Sequence, residues 1–150
     1  MLLTDNEQET NIDIMKHTYL PLFLLAFVFG SCAALDQQGD RPELGGFKWI
    51  LTSIEGKNYN LGDKTTIEFD TKENKVKGNA ACNGYSAEYE TLTDNRIRFV
   101  EIISTKMYCE GVMDVENQML TNLTKIKRYE IRADKLYLYG EANVLLTFKR

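Results

Sequence analysis

Three cysteines, Cys32, Cys82 and Cys109, and a single histidine, His17, carry most of the chemical potential of this 150-residue chain. Cys82 lies in "GNAACNGYSAEYE", directly ahead of Asn83-Gly84, where a cysteine could be a nucleophile, a metal ligand or half of a disulfide. A nucleophilic cysteine or serine works with a base, most often an imidazole. His17 precedes every other candidate group, inside an apolar leader read below as removed, so no catalytic residue is expected. A zinc site of the strong kind shows paired C-x-x-C spacings. The chain has none, and neither a metal nor a cofactor is expected. A redox dithiol presents the same short spacing at a helix start, whereas Cys82 and Cys109 are 27 positions apart. Glu88 and Glu90 share a strand face in a way that suits general acid and base work, but two glutamates beside a turn usually face water. Gly45-Gly46 lacks the lysine and the strand-to-helix context of a phosphate loop.

The front of the chain carries the clearest address. From Met15 it reads "MKHTYLPLFLLAFVFGSC", a short charged start, an apolar run from Tyr19 to Phe29, then Gly30-Ser31-Cys32. Eleven apolar residues are too few to cross a bilayer core, which takes about 20 in a helix, but they suit a secretory signal peptide. Small residues just ahead of a cysteine resemble the lipobox of bacterial lipoproteins, in which cleavage leaves a lipid-modified cysteine at the new N-terminus. The reading is therefore a signal peptide over 1–31, translated from Met15, with lipidation at Cys32; a conventionally cleaved peptide or an uncleaved anchor is the alternative. Phe29 stands where the lipobox usually has leucine. Ala33 after Cys32 points to the outer membrane. Residues 32–46, "CAALDQQGDRPELGG", read as a polar tether that reaches roughly 20 Å as a flexible coil.

Charge excludes one class of partner. Of 18 basic and 22 acidic residues, Lys16 and four carboxylates, Asp5, Glu7, Glu9 and Asp13, precede Cys32, which leaves 17 and 18, a balance of −1. Nucleic acid binding needs clustered cations to displace counterions, so no nucleic acid partner is expected. The short groups Lys72-Lys75-Lys77 and Lys125-Lys127-Arg128 read as solvated faces.

The body from Phe47 to Arg150 must position whatever remains. Its period is mostly two: Phe47, Trp49 and Leu51 on one face, Ile67 with Phe69, Tyr85 with Ala87 and Tyr89, Ile97 with Phe99. Turn residues at Glu55-Gly56, Leu61 to Asp63, Asp70 to Asn74, Thr93 to Asn95, Ala133-Asp134 and Gly140 to Asn143 break it into seven to nine short strands. One stretch has helical spacing, with Val112, Val115, Met119, Leu120, Leu123 and Ile126 apolar, Asp114 and Glu116 early, and Lys125, Lys127 and Arg128 late, matching the helix dipole. The expected fold is mainly β with one helix, a small antiparallel barrel with the amphipathic helix packed on it.

With Cys32 lipidated, two cysteines remain in an exported chain, where disulfides persist. A Cys82–Cys109 disulfide is then the favoured reading, with two reduced, buried cysteines as the alternative, because sequence does not give their separation.

The run Trp49 to Leu51, "GNAACNGYSAEY" at 78–89, "STKMYC" at 104–109, the helix with Glu116 and Met119-Leu120, and the closing "LYLYG...VLLTF" together resemble the META domain family of HslJ-like proteins. The resemblance runs from about Phe47 to Arg150. It marks Trp49, Gly78, Asn83, Tyr85, Tyr89, Thr105 and Met107 as motif positions, and departs from the family pattern at Ala87 and Tyr108. It implies a small antiparallel barrel with one helix and no established enzymatic activity. The functional expectation is a non-enzymatic envelope lipoprotein held to the membrane through Cys32, an accessory or interaction module with an envelope protein partner. The alternative is a carrier of a small hydrophobic ligand or peptide in the barrel.

Overall fold

Side chains alternate across a strand, so a period of two gives each strand one face to bury, and those faces organise the fold. A computed structural model describes residues 43–92 and 95–150; the expected signal peptide, Cys32 and most of the expected tether lie outside them. The nine strands are β1 (Lys48–Ile54), β2 (Lys57–Asn58), β3 (Thr66–Asp70), β4 (Lys75–Asn79), β5 (Gly84–Thr91), β6 (Ile97–Ser104), β7 (Arg128–Arg132), β8 (Lys135–Tyr139) and β9 (Val144–Lys149). Helix α1 (Met113–Leu123) interrupts them between β6 and β7. All strand pairs are antiparallel, in the order β6-β5-β4-β3-β1-β9-β8-β7, with β2 a short hairpin partner of β1. Turn chemistry acts where expected. Glu55 and Gly56 both adopt positive φ, 48° and 81°, as a two-residue hairpin loop that matches strand twist requires. Asp70 accepts the backbone N–H groups of Lys72 and Glu73 at 2.9 and 3.1 Å, which closes the β3–β4 turn and holds its carboxyl below the ordinary aspartate range.

The inward faces are those the spacing marks. Trp49, Leu51, Ile67, Phe69, Tyr85, Ala87, Tyr89, Ile97 and Phe99 are all buried in one core with Leu136, Leu138, Leu146 and Phe148. Phe69, Tyr89 and Phe99 form an aromatic cluster with centroids 5.4 to 6.5 Å apart. Phe47 departs from this pattern. It precedes β1 and is 41% exposed, set edge-on to Trp49 and stacked under the Arg150 guanidinium at 4.2 Å. The fold starts earlier instead: Leu44 is buried, its carbonyl accepts the Trp49 indole N–H at 3.0 Å, and Gly45 bridges to Phe69. The end of the expected tether is thus part of the domain.

Two expectations of shape change. The sheet does not close into a barrel; among the described residues its end strands β6 and β7 meet at the Arg96–Arg128 bridge, where Ile97 N–H bonds Lys127 O and Tyr129 N–H bonds Asn95 O. Beyond that point a β-bulge on β6, where Glu101 and Ile102 face Ala87 of β5 and Glu101 adopts φ 51°, bends that strand, and β7 is only five residues long. Curling brings the edges together without a ladder. The helix also ends early, at Leu123, so Lys125, Lys127 and Arg128 lie beyond its last turn. Its buried residues are Glu116, Met119, Asn122 and Leu123, while Val115 and Leu120 are half-buried. The inward stripe is therefore rotated, with a carboxylate and an amide upon it.

Gly78 shows how tightly β3, β4 and β5 approach. A Cβ there would lie 2.0 Å from the Thr66 carbonyl oxygen and 3.0 Å from the Tyr85 ring, and the Tyr85 hydroxyl donates to that same oxygen at 3.0 Å. Gly78→Ala is expected to destabilise the fold by about 3 kcal/mol through overpacking, seen as a lower urea midpoint at unchanged slope. A midpoint equal to that of the parent would contradict this packing.

Candidate functional site

The loop between β4 and β5 is shaped by backbone before any side chain acts. Ala80 N–H bonds Asn83 O at 2.8 Å, and Ala81, at φ 83°, turns its own N–H to Lys64 O at 2.7 Å. A positive φ is costly for alanine, and the surrounding bonds hold it in place. The special backbone conformation thus falls on Ala81 rather than on Asn83-Gly84. Its result is that the N–H groups of Cys82 and Asn83 point the same way, at helix α1. Glu116 Oε2 accepts both, at 3.1 and 2.8 Å.

Asn83 is the centre of the arrangement and is 1% exposed. Its amide nitrogen donates to Met107 O at 2.9 Å and to Glu116 Oε1 at 2.7 Å. Its oxygen accepts the Thr105 hydroxyl and the Met107 N–H, each at 2.7 Å. All four of its hydrogen-bonding sites are used, which fixes the orientation of the amide. The Cys82–Cys109 disulfide, Cα to Cα 5.7 Å, then ties the same two segments covalently. A loop of that size contributes roughly 3 to 4 kcal/mol in the chain-entropy account. Glu116 has no cationic partner among the described residues. Three N–H donors meet its carboxylate, and its place in the first turn of α1 adds the favourable end of the helix dipole.

The structure therefore brings together Cys82, Asn83, Thr105, Met107 and Cys109, and adds Glu116, which sequence reading treated as a dipole charge. A signal was present: Glu116 precedes Met119, Leu123 and Ile126 at spacings of three, seven and ten, on the apolar stripe itself. Trp49, Gly78, Tyr85 and Tyr89 belong to the sheet that carries this node. Burial pushes the Tyr85 hydroxyl well above the ordinary tyrosine range, and the Tyr89 hydroxyl reaches Asp70 O at 3.4 Å. Glu88 and Glu90 face solvent, and Glu90 pairs with Arg98. Among the described residues no group of three His, Cys, Asp or Glu side chains is placed to hold a metal.

Chemically the node is closed, since both sulfurs are bonded to each other and the named polar atoms are committed to holding loops. Outward it presents large apolar side chains next to exposed Thr105, Lys106 and Glu110. Ile103, Met107 and Tyr108 are 66%, 58% and 80% exposed. Beside them Gly84, Tyr85, Ser86, Ile103 and Thr105 line a shallow groove of about 400 Å³. The interior of the sheet is occupied by fully buried Trp49, Phe148, Leu51, Met119 and Leu138.

Glu116→Gln tests the node with minimal change of shape. An amide nitrogen would face either the Asn83 amide or the two loop N–H groups, donor against donor, and the charge-assisted bonds would be lost. The expected loss is about 2 to 3 kcal/mol, measured by urea unfolding with the disulfide intact. An unchanged midpoint would show that the carboxylate does not hold the loop.

Residues 42–150 match the META domain. Among solved structures, the chain is similar to a protein from Burkholderia xenovorans studied by NMR, with 25% identity and a TM-score of 0.54 over 71% of this chain and 83% of that one. It is also similar to a DUF4847 family protein from Bacteroides vulgatus known from a crystal structure, at 12% identity and a TM-score of 0.53 over 71% and 93%. A second NMR structure shares 23% identity, with a TM-score of 0.56 over 71% and 90%. No curated protein matches the sequence. With 42–150 of its 150 residues matched, the chain belongs to the META domain family.

Proposed function

We propose that this META domain is a non-enzymatic lipoprotein of the bacterial outer membrane, anchored through Cys32, that serves envelope maintenance or stress as an accessory or interaction module. One observation carries the reading. At the site where the chain concentrates its cysteines and its most specific motifs, the chemistry is spent on a disulfide-locked scaffold, and the side chains left outside, Ile103, Met107 and Tyr108, suit contact rather than turnover. A disulfide between Cys82 and Cys109 is stable in an oxidising compartment, in keeping with the signal peptide and lipobox read from the sequence. Several acyl chains on one cysteine anchor a protein firmly where one would not.

The test is mass spectrometry of the full chain extracted from membranes without reductant. The expected result is acyl mass on a peptide beginning at Cys32, and no maleimide labelling of Cys82 or Cys109 until reduction. A soluble product with an unmodified Cys32, or native protein with free thiols at Cys82 and Cys109, would overturn the reading.

A further inference from the structure

Like charges set directly opposite each other on neighbouring strands repel, so a sheet that collects them has an uncompensated cost. This sheet does so at one end. Arg132 of β7 is opposite Lys135 of β8, and Lys135 is opposite Lys149 of β9. Alternation puts all three on the outer face, opposite buried Leu136 and Phe148. Lys149 in turn registers with Ile50 of β1, two residues after Lys48, and Arg150 follows it. Arg132 is matched by Glu130, which binds it through two hydrogen bonds. Lys48, Lys135, Lys149 and Arg150 have no carboxylate within ion-pair distance among the described residues. The acidic groups in the neighbourhood are Asp134 in the β7–β8 turn, Glu68 opposite Lys48, Glu43 where the chain enters, and Asp70 and Glu73 of the β3–β4 turn, which share their hollow with Lys72, Lys75 and Lys77.

The second observation is where the chain enters. Gly46 to Lys48 lead into β1 at this same end, with Phe47 held exposed under Arg150. An aromatic ring amid cations is the composition of a membrane-interface contact. Only ten residues lie between Cys32 and Glu43, so on the anchored reading the domain stays near the bilayer, and its basic end, where the chain enters, is the part closest to the anchor along the chain. Met107 and Tyr108 are fixed elsewhere. Asn83 and the disulfide hold them at the β4–β5 loop, one full strand length, about 15 Å, from the β3–β4 turn that faces Gly46 to Lys48 across a surface hollow.

We infer that the basic end formed by Lys48, Lys135, Lys149 and Arg150 around Phe47 docks on an anionic lipid surface, so that the disulfide node with Met107 and Tyr108 faces away from the bilayer. This rests on the anchored reading and adds an orientation to it. Docking needs no tight headgroup pocket, because each cation near an anionic surface contributes independently and within about one Debye length.

The experiment uses the full membrane-extracted lipoprotein, reconstituted in vesicles of phosphatidylcholine alone or of phosphatidylcholine with phosphatidylglycerol, and labels lysines with a water-soluble amine reagent read by mass spectrometry. Lys48, Lys135 and Lys149 are expected to label about fivefold more slowly in the anionic vesicles, and the difference to vanish near 1 M salt. Lys106, beside Met107, is expected to label equally in both. The double variant Lys135→Glu/Lys149→Glu, on an exposed face, is expected to abolish protection of Lys48 while leaving the fold intact by circular dichroism. Equal labelling of the basic end in both vesicles would overturn the proposal and leave that surface to an acidic protein; protection of Lys106 would reverse the orientation. The same spectra read acyl mass on the Cys32 peptide, so acylated protein without protection removes the docking surface alone, and absent acyl mass removes the anchor itself.

Discussion

A carboxylate buried in an apolar core is tolerated only when hydrogen bonds replace the water it gives up, and Glu116 meets that condition through one loop. Its oxygens accept Cys82 N–H, Asn83 N–H and the Asn83 amide, and each of these depends on Ala81 being held at positive φ. The dependence runs both ways. Without Glu116 the loop N–H groups are buried without partners, and without the loop Glu116 is an uncompensated charge on the inward face of α1. Asn83 extends the coupling to Thr105 and Met107, and the disulfide makes the connection of β4–β5 loop to β6–α1 segment permanent. A helix with no side-chain cap at Val112 is thus located by Glu116, a buried carboxylate in its first turn.

The rest of the architecture follows from that fixed point. Antiparallel meanders β3 to β6 and β7 to β9 flank β1, whose start pairs with the end of β9, the last strand. Bulges at Leu51–Ser53, Ser86–Glu88 and Leu138–Tyr139 bend it around the core. Because α1 occupies the connection from β6 to β7, and its inner residues Met119 and Leu123 share the core, the sheet curls against the helix without needing a closing ladder. The described domain thus has basic side chains where the chain enters β1 and exposed Met107 and Tyr108 beside the disulfide.

Much of this was legible in the sequence because it is local. Strand faces follow from a period of two, and Ile67, Phe69, Tyr85, Tyr89, Ile97 and Phe99 fall inward as the spacing demands. The cysteine pair followed from counting and from the motifs around it. What was hidden is nonlocal or has no residue signature. Ala81 carries a backbone conformation that alanine does not advertise. Leu44, surrounded by glycine and polar residues, reads as tether, yet its carbonyl receives the Trp49 indole from five residues away. Phe47 continues the alternation one step past the sheet that could have buried it. The open seam between β6 and β7 depends on register across a 23-residue connection, from 105 to 127, which no strand pattern encodes. Glu116 was visible as an acid on an apolar stripe, but its partner lies 33 positions away.

Amide hydrogen exchange at Asn83 tests the central claim most directly. Its N–H sits in a loop by position but is buried and bonded to a carboxylate, so it is expected to exchange as slowly as Ala87 in the middle of β5, through global unfolding rather than local opening. Exchange at Asn83 at the rate of an exposed loop amide, with Ala87 still protected, would contradict the account.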